Sequence, residues 1–227
     1  MDLDTTERLE RYLKEAPVLH VRPLEGGGGH SNKATLILQG GVGVAAKRAA
    51  DEQMKIQARR EVAAWVLATE LAMPHLVPAT VLRQVPAGDD PSGDQVESSV
   101  QILWPRFKTA LEGPTPASDC DDDTSWPIAV FDLLAANTDR NDGNWGTIEG
   151  LPRVALIDHG HAFAGTGSSS PFVARHMGTV LPANLREQVV RFHSGSGTSR
   201  LTEYLDAEAC KGVFERAAKL AQEGTLT

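Results

Sequence analysis

Leucines and charges recur at steps of three and four through residues 3–16 ("LDTTERLERYLKEA"), the spacing of a short surface helix. Two apolar runs rich in β-formers follow, "VLHVRPL" and "ATLILQG", with "EGGGGHSNK" between them, and predict a hairpin with a glycine-rich turn. A further strand, "GVGVAAKRA", carries Lys47 near its end. The next pattern, "DEQMKIQARREVAAWVLATEL", repeats at helical spacing and stops before Pro74, since a proline disfavours helix in the residue ahead of it. "LVPATVLRQV" and "ESSVQILW" predict two more strands around the polar turn "PAGDDPSGDQ". "EGPTPASDCDDDTS" then reads as a solvated linker. Beyond it the pattern turns mostly helical: residues 127–136, a strand "RVALID", a loop "AGTGSSS", and two terminal helices near 183–192 and 206–222, the last capped by Asp206.

The expected fold class is therefore α+β, in two lobes. A small antiparallel-sheet N-lobe with one helix spans 1–104, a hinge and acidic linker spans 105–126, and a compact, mostly helical C-lobe spans 127–227. Hydrophobic content of 41% and charged content of 23% are those of an ordinary globular chain. Thirty acids against 22 bases leave a net charge of −8, so no nucleic acid is expected as partner. The acidic start is unlike a secretory signal, and no window nears the roughly 18 apolar residues of a span. The expectation is a cytoplasmic protein with no integral membrane association; two isolated cysteines, Cys120 and Cys210, make no disulfide framework.

The chemistry concentrates in "NTDRNDGNWG", residues 137–146, directly after the apolar run "IAVFDLLAA". Asp139, Asn144 five residues on, and Asp158 at the end of a β-type run have the order of a phosphoryl-transfer site: one acid for the acceptor hydroxyl, an amide and a second acid for Mg2+. The same hypothesis needs a glycine-rich turn, a strand lysine and a helical glutamate upstream, and these exist in order. Gly27, Gly28, Gly29 and Ser31 would approach the phosphates of ATP, Lys47 would bind them, and Glu61 would pair with Lys47. "SVQILWPRF" supplies a crossover segment on which Gln101, Leu103 and Trp104 are the candidates for binding adenine.

In these motifs the chain resembles the atypical kinases of the phosphatidylinositol 3- and 4-kinase-like group, most closely the type II phosphatidylinositol 4-kinases. "NTDRNDGNW" is similar to their catalytic loop, "SVQILWPRFKTA" to their hinge and "LIDHGHAF" to their metal-binding segment, over roughly residues 21–163. The resemblance implies a two-lobed protein-kinase-like fold, with Lys47 on the ATP phosphates, Glu61 as its partner, Asp139 as the acid/base, and Asn144 with Asp158 on magnesium. Two departures stand out. Asn141 occupies a position where many relatives carry histidine, which shifts the weight to Asp139, and no lipidated insertion or basic amphipathic face is visible.

Simpler roles compete at several positions. Lys47 alone would be an edge-guarding charge, and Glu61 would pair with arginines one turn away. His159 and His161 suit packing or hydrogen bonding better than zinc, and Trp145 suits the core. Arg140, grouped with the catalytic residues, either orients the loop through a carboxylate or touches the substrate. The acids of "DCDDD" are solvated charge or attract a cationic substrate, and serines 168–170 are candidate self-phosphorylation targets.

The expected activity is transfer of the γ-phosphoryl group of ATP to a hydroxyl, with a protein serine or threonine ranked first as acceptor, then a small molecule, then a lipid. A nucleotide-binding pseudokinase and a nucleotidyl transferase are the alternatives. Oligomeric state is left open.

Overall fold

The computed structural model of the chain describes residues 3–23, 33–113, 120–149 and 154–227. The glycine-turn positions Gly27, Gly28, Gly29 and Ser31 lie outside these. The chain forms two compact units, one of Met1–Val62 with Pro78–Trp104, the other of Ala63–Val77 with Pro105–Thr227.

The first unit holds α1 (Leu3–Glu15) and five strands, β1 (Val18–Pro23), β2 (Lys33–Leu38), β3 (Gly43–Arg48), β4 (Thr80–Pro86) and β5 (Gln95–Ile102), with the start of α2 (Glu52–Glu70). The sheet is antiparallel throughout, in the order β1-β2-β3-β5-β4. Alternation decides its faces. Leu36 faces Val44, and Ala46, Val100 and Val81 stand opposite one another, so one side collects buried apolar groups. Helix α1 packs against this sheet with Leu13 fully buried, and Arg83 donates to the carbonyls of Leu13 and Ala16 at 2.9 and 2.8 Å, satisfying acceptors at the helix end. The other side takes Gly43, Ala45 and Lys47. Gly40 and Gly41, with φ of +94° and +80°, make the tight β2–β3 turn that sets this register.

Helix α2 starts on an Asp51 cap, whose side chain accepts from the Met54 amide at 2.8 Å. Residues 62–68 are all buried, so this stretch has no solvated stripe and reads as an enclosed helix. It ends with Ala72 in the left-handed region (φ +59°) and the Met73 amide on the Ala68 carbonyl, just ahead of Pro74 as the pattern predicts.

The second unit contains α3 (Asp122–Leu134), α4 (Pro171–His176), α5 (Ala183–Ser194), α6 (Ala207–Glu223) and a small antiparallel sheet of β6 (Phe107–Thr109), β7 (Trp145–Ile148) and β8 (Val154–Leu156), in the order β6-β7-β8. Asp206 caps α6 through the Ala209 amide at 2.8 Å. Within this unit the Glu70 carboxylate accepts from Ser199 Oγ at 2.6 Å and from the Arg200 amide at 2.8 Å, tying the end of α2 to the segment before α6.

Helix α3 begins five residues before the expected Pro127. Asp121 accepts from the Thr124 amide at 2.8 Å as N-cap, and Asp122 and Asp123 fill the first turn, where carboxylates complement the exposed amides. Asp122 also pairs with Arg175 at 2.9 Å. The acids read as linker thus start a helix. Strands β6 and β7 and helix α4 were outside the expected pattern: strands of three and four residues hold too few alternations, and a helix of six residues has less than two turns.

Candidate active site

In the first unit, the alternation of β3 sends Val44 and Ala46 inward and leaves Lys47 on the other face, where it forms an ion pair and hydrogen bond with Glu61 of α2. The Glu61 side chain is 2% exposed and that of Lys47 28%. A carboxylate so far from water requires a cation, and Lys47 supplies it; Arg59 on the same helix instead approaches Glu97, at 4.0 Å. Glu61 is therefore engaged with Lys47, and the surface-pair alternative falls away. Of the crossover candidates, Gln101 stands opposite Ala45 on β3, and the Leu103 amide donates to the Gly43 carbonyl at 3.1 Å. That leaves the carbonyl and side chain of Leu103 as the groups it can present. Trp104 is half-buried.

In the second unit, α3 is stopped by Ala136 in the left-handed region (φ +45°). The next residue, Asn137, is buried, and its Oδ1 accepts from the Asp139 amide at 3.1 Å, bending the chain so that Asp139 is half-buried. Both Asp139 oxygens receive amide donors, Oδ1 from Asn141 Nδ2 at 2.8 Å and Oδ2 from Asn144 Nδ2 at 3.1 Å. Asn141 thus orients this carboxylate. Trp145 is core, as expected: 1% exposed, edge-on to Phe172 with centroids 5.2 Å apart, its Nε1 donating to Asp142 at 3.1 Å.

Strands β7 and β8 pair with Trp145 opposite Leu156, and the Ile157 amide donates to the Asn144 carbonyl at 3.0 Å. The ladder thereby brings Asn144, just before β7, beside the end of β8 that leads into Asp158. Asp158 is half-buried and has a left-handed backbone (φ +56°), as does Phe163 (φ +63°), whose amide returns to the Ala135 carbonyl at 2.7 Å. Non-glycine residues in this region concentrate where tertiary structure holds the backbone against its preference.

Arg140, grouped in the sequence with the catalytic residues, takes the first of its two expected roles, pairing with a carboxylate. Its side chain has 0% exposure and is paired with Asp132 of α3 at 3.0 Å. It also donates to the carbonyls of Asn144 and, at 3.2 Å, Ile157. A guanidinium enclosed in this way holds the backbone of the loop. Serines 168 and 169 are likewise engaged, donating to the carbonyls of Asn137 and Thr138, each at 2.7 Å, while Ser170 is buried. They pin the loop, which argues against their being phosphorylated while it keeps this form. His159 is buried edge-on to Phe131, and His161 is exposed.

Among the described residues no group of three or more His, Cys, Asp or Glu side chains could hold a metal. Asn144 and Asp158 offer one amide oxygen and one carboxylate. That donor set fits a hard ion completing its shell with water and phosphate, and would not retain zinc.

Asp132 and Asn137 were not foreseen. The signal for Asp132 was an acid in the middle of "IAVFDLLAA": α3 is buried along nearly its whole length, and a charge there demands a partner.

No family model and no curated protein sequence matches this chain. Solved structures do. The Golgi casein kinase aligns over 98% of this chain and 76% of its own, at TM-score 0.63 and 13% identity. The Golgi casein kinase with Mn and ADP bound aligns over the same shares at 0.61 and 13%. Hydra Fam20 with sugar covers 98% of this chain and 88% of its own, at 0.65 and 14%. At such identities the likeness is one of fold, and it shows that the chain has an atypical-kinase-like α+β fold.

Proposed function

We propose that the chain is an ATP- and Mg2+-dependent phosphotransferase that moves the γ-phosphoryl group to a hydroxyl, with a protein serine or threonine as acceptor. The observation that carries this reading is the β7–β8 ladder, which sets Asn144 next to the strand end leading into Asp158 while the Asn144 side chain is bonded to Asp139. The Lys47–Glu61 pair, whose carboxylate is buried, supports it independently.

In this scheme Lys47 binds the ATP phosphates and Glu61 holds its ammonium in place. Asn144 and Asp158 are the residues that would hold the divalent ion, which when bound would neutralise phosphate charge. Asp139 accepts the acceptor's proton as its oxygen bonds to the γ-phosphorus, the bond to the bridging oxygen breaks and ADP leaves. Rate comes from placing charges that need no rearrangement during reaction. Manganese and ADP in a structure of the same fold favour a nucleotide with a divalent ion here too.

The test uses ATP labelled at the γ or the α position, Mg2+, and a lysate split into protein, lipid and small-molecule fractions. γ-label entering the protein fraction with the wild-type chain, and not with Asp139→Ala, is expected. Entry into another fraction changes the acceptor, α-label means nucleotidyl transfer, and nucleotide binding with neither label sinks the enzyme reading.

A further inference from the structure

We infer that Asp132, which faces neither nucleotide nor acceptor in this scheme, is a positioning residue that sets Asp139 relative to the Asn144–Asp158 pair. The kinetic part of this inference rests on the phosphotransfer reading.

The argument follows the bonds of one carboxylate whose side chain has 0% exposure. Its Oδ1 accepts from Asn137 Nδ2 at 3.0 Å and from Arg140 Nη2 at 3.0 Å and Nε at 3.3 Å, and its Oδ2 accepts from Arg140 Nε at 3.2 Å. Two arms leave this hub. Through Asn137, whose Oδ1 receives the Asp139 amide at 3.1 Å, it holds the residue proposed to face the acceptor. Through Arg140, whose Nη1 forks onto the carbonyls of Asn144 and Ile157, it holds both strands at the point where the two proposed metal ligands enter and leave the hairpin.

Stability alone would not call for this arrangement. Two charges lose their hydration on burial, and apolar side chains of similar volume commonly stabilise as well or better. Apolar groups could fill the space, but they could not donate to two carbonyls at once. The pair therefore supplies geometry, and geometry is what an in-line transfer needs: misplacement by about 1 Å can cost on the order of 100-fold in rate.

The experiment separates geometry from folding with the double variant Asp132→Leu/Arg140→Met, which removes both charges, and the single variant Asp132→Asn, which strands the guanidinium. Each is read by thermal melting, by kcat and KM for ATP with γ-labelled ATP, and by residue-resolved amide exchange. The double variant is expected to melt within a few degrees of wild type with KM changed less than about threefold, since Lys47 and Glu61 are intact. Its kcat is expected to fall roughly 100-fold, and the amides of Asp139 and Ile157 to lose protection. A double variant that keeps wild-type kcat, or unchanged exchange at both amides, overturns the inference. If it fails to fold, Asp132→Asn is judged on the same kcat-to-KM split and exchange. If wild type transfers no label, the phosphotransfer reading falls, and exchange alone decides: lost protection at both amides upholds the hub, and retained protection refutes it.

Discussion

A single added methyl group tests the strand that carries Asn144. A Cβ built on Gly146 would lie 2.0 Å from the Lys108 carbonyl oxygen and 2.8 Å from both Lys108 C and Thr109 Cα, where ordinary contact begins near 3.4 Å. All three atoms are backbone of β6, so no side chain can swing aside, and Gly146→Ala must drive β6 from β7 by more than about 1 Å. The pairing of Phe107 with Ile148 and of Thr109 with Gly146 would open, together with the flanking bonds from Ala110 to Trp145 (2.9 Å) and Glu149 to Arg106 (3.2 Å). At about 1 kcal/mol for each lost bond, less about 0.5 kcal/mol for the stiffer unfolded chain, the net cost is on the order of 2–4 kcal/mol. For a chain of this size that lowers Tm by roughly 5–15 °C. Thermal melting followed by circular dichroism measures it, with Gly88→Ala as control, because nothing lies within 4 Å of a Cβ there. If Gly146→Ala melts within about 2 °C of the control, the close approach of β6 and β7 is wrong.

Lys47→Met leaves the 2%-exposed Glu61 carboxylate without its ion pair and is expected to lower Tm; adding Glu61→Gln should restore most of the loss while transfer of γ-label stays down roughly 100- to 1000-fold. A single variant that melts like wild type would refute the pairing. His176, buried beneath a stacked Trp126 at 3.9 Å and hydrogen-bonded to Ser125 at 2.8 Å, is pushed below its ordinary 6.5 by burial, with Asp122 opposing and Arg175 adding to the shift. The unfolded chain then takes the proton more readily, so the stability tied to the neutral ring is complete above pH 6.5 and is lost as pH falls through the folded pKa. Wild-type Tm should drop more steeply between pH 7 and 5 than that of His176→Gln, and equal slopes would exclude the effect.

Much of the candidate site was legible because its parts are marked locally. Lys47 stands in an apolar strand whose alternation assigns it a face, and Asp139, Asn144 and Asp158 cluster around a short hairpin whose second strand was itself predicted. Glu61 was harder. A glutamate beside arginines on a helix suggests surface pairs, and its burial became visible only with the residues around it. The helix start at Asp121 was obscured by a run of acids that looks like linker until one of them is seen to accept an amide bond.

Periodicity and turn chemistry therefore specified strands, helices and the order of reactive groups, since each depends on neighbours a few positions away. Pairings across larger sequence distances followed another logic. Whether Arg140 faced solvent or Asp132, whether serines 168 and 169 were loose or bonded to the loop, and how closely β6 approaches Gly146 each depend on which distant backbone fills the adjacent space. Burial converts a polar side chain from an optional contact into an obligatory one, and burial is a property of the packed chain as a whole.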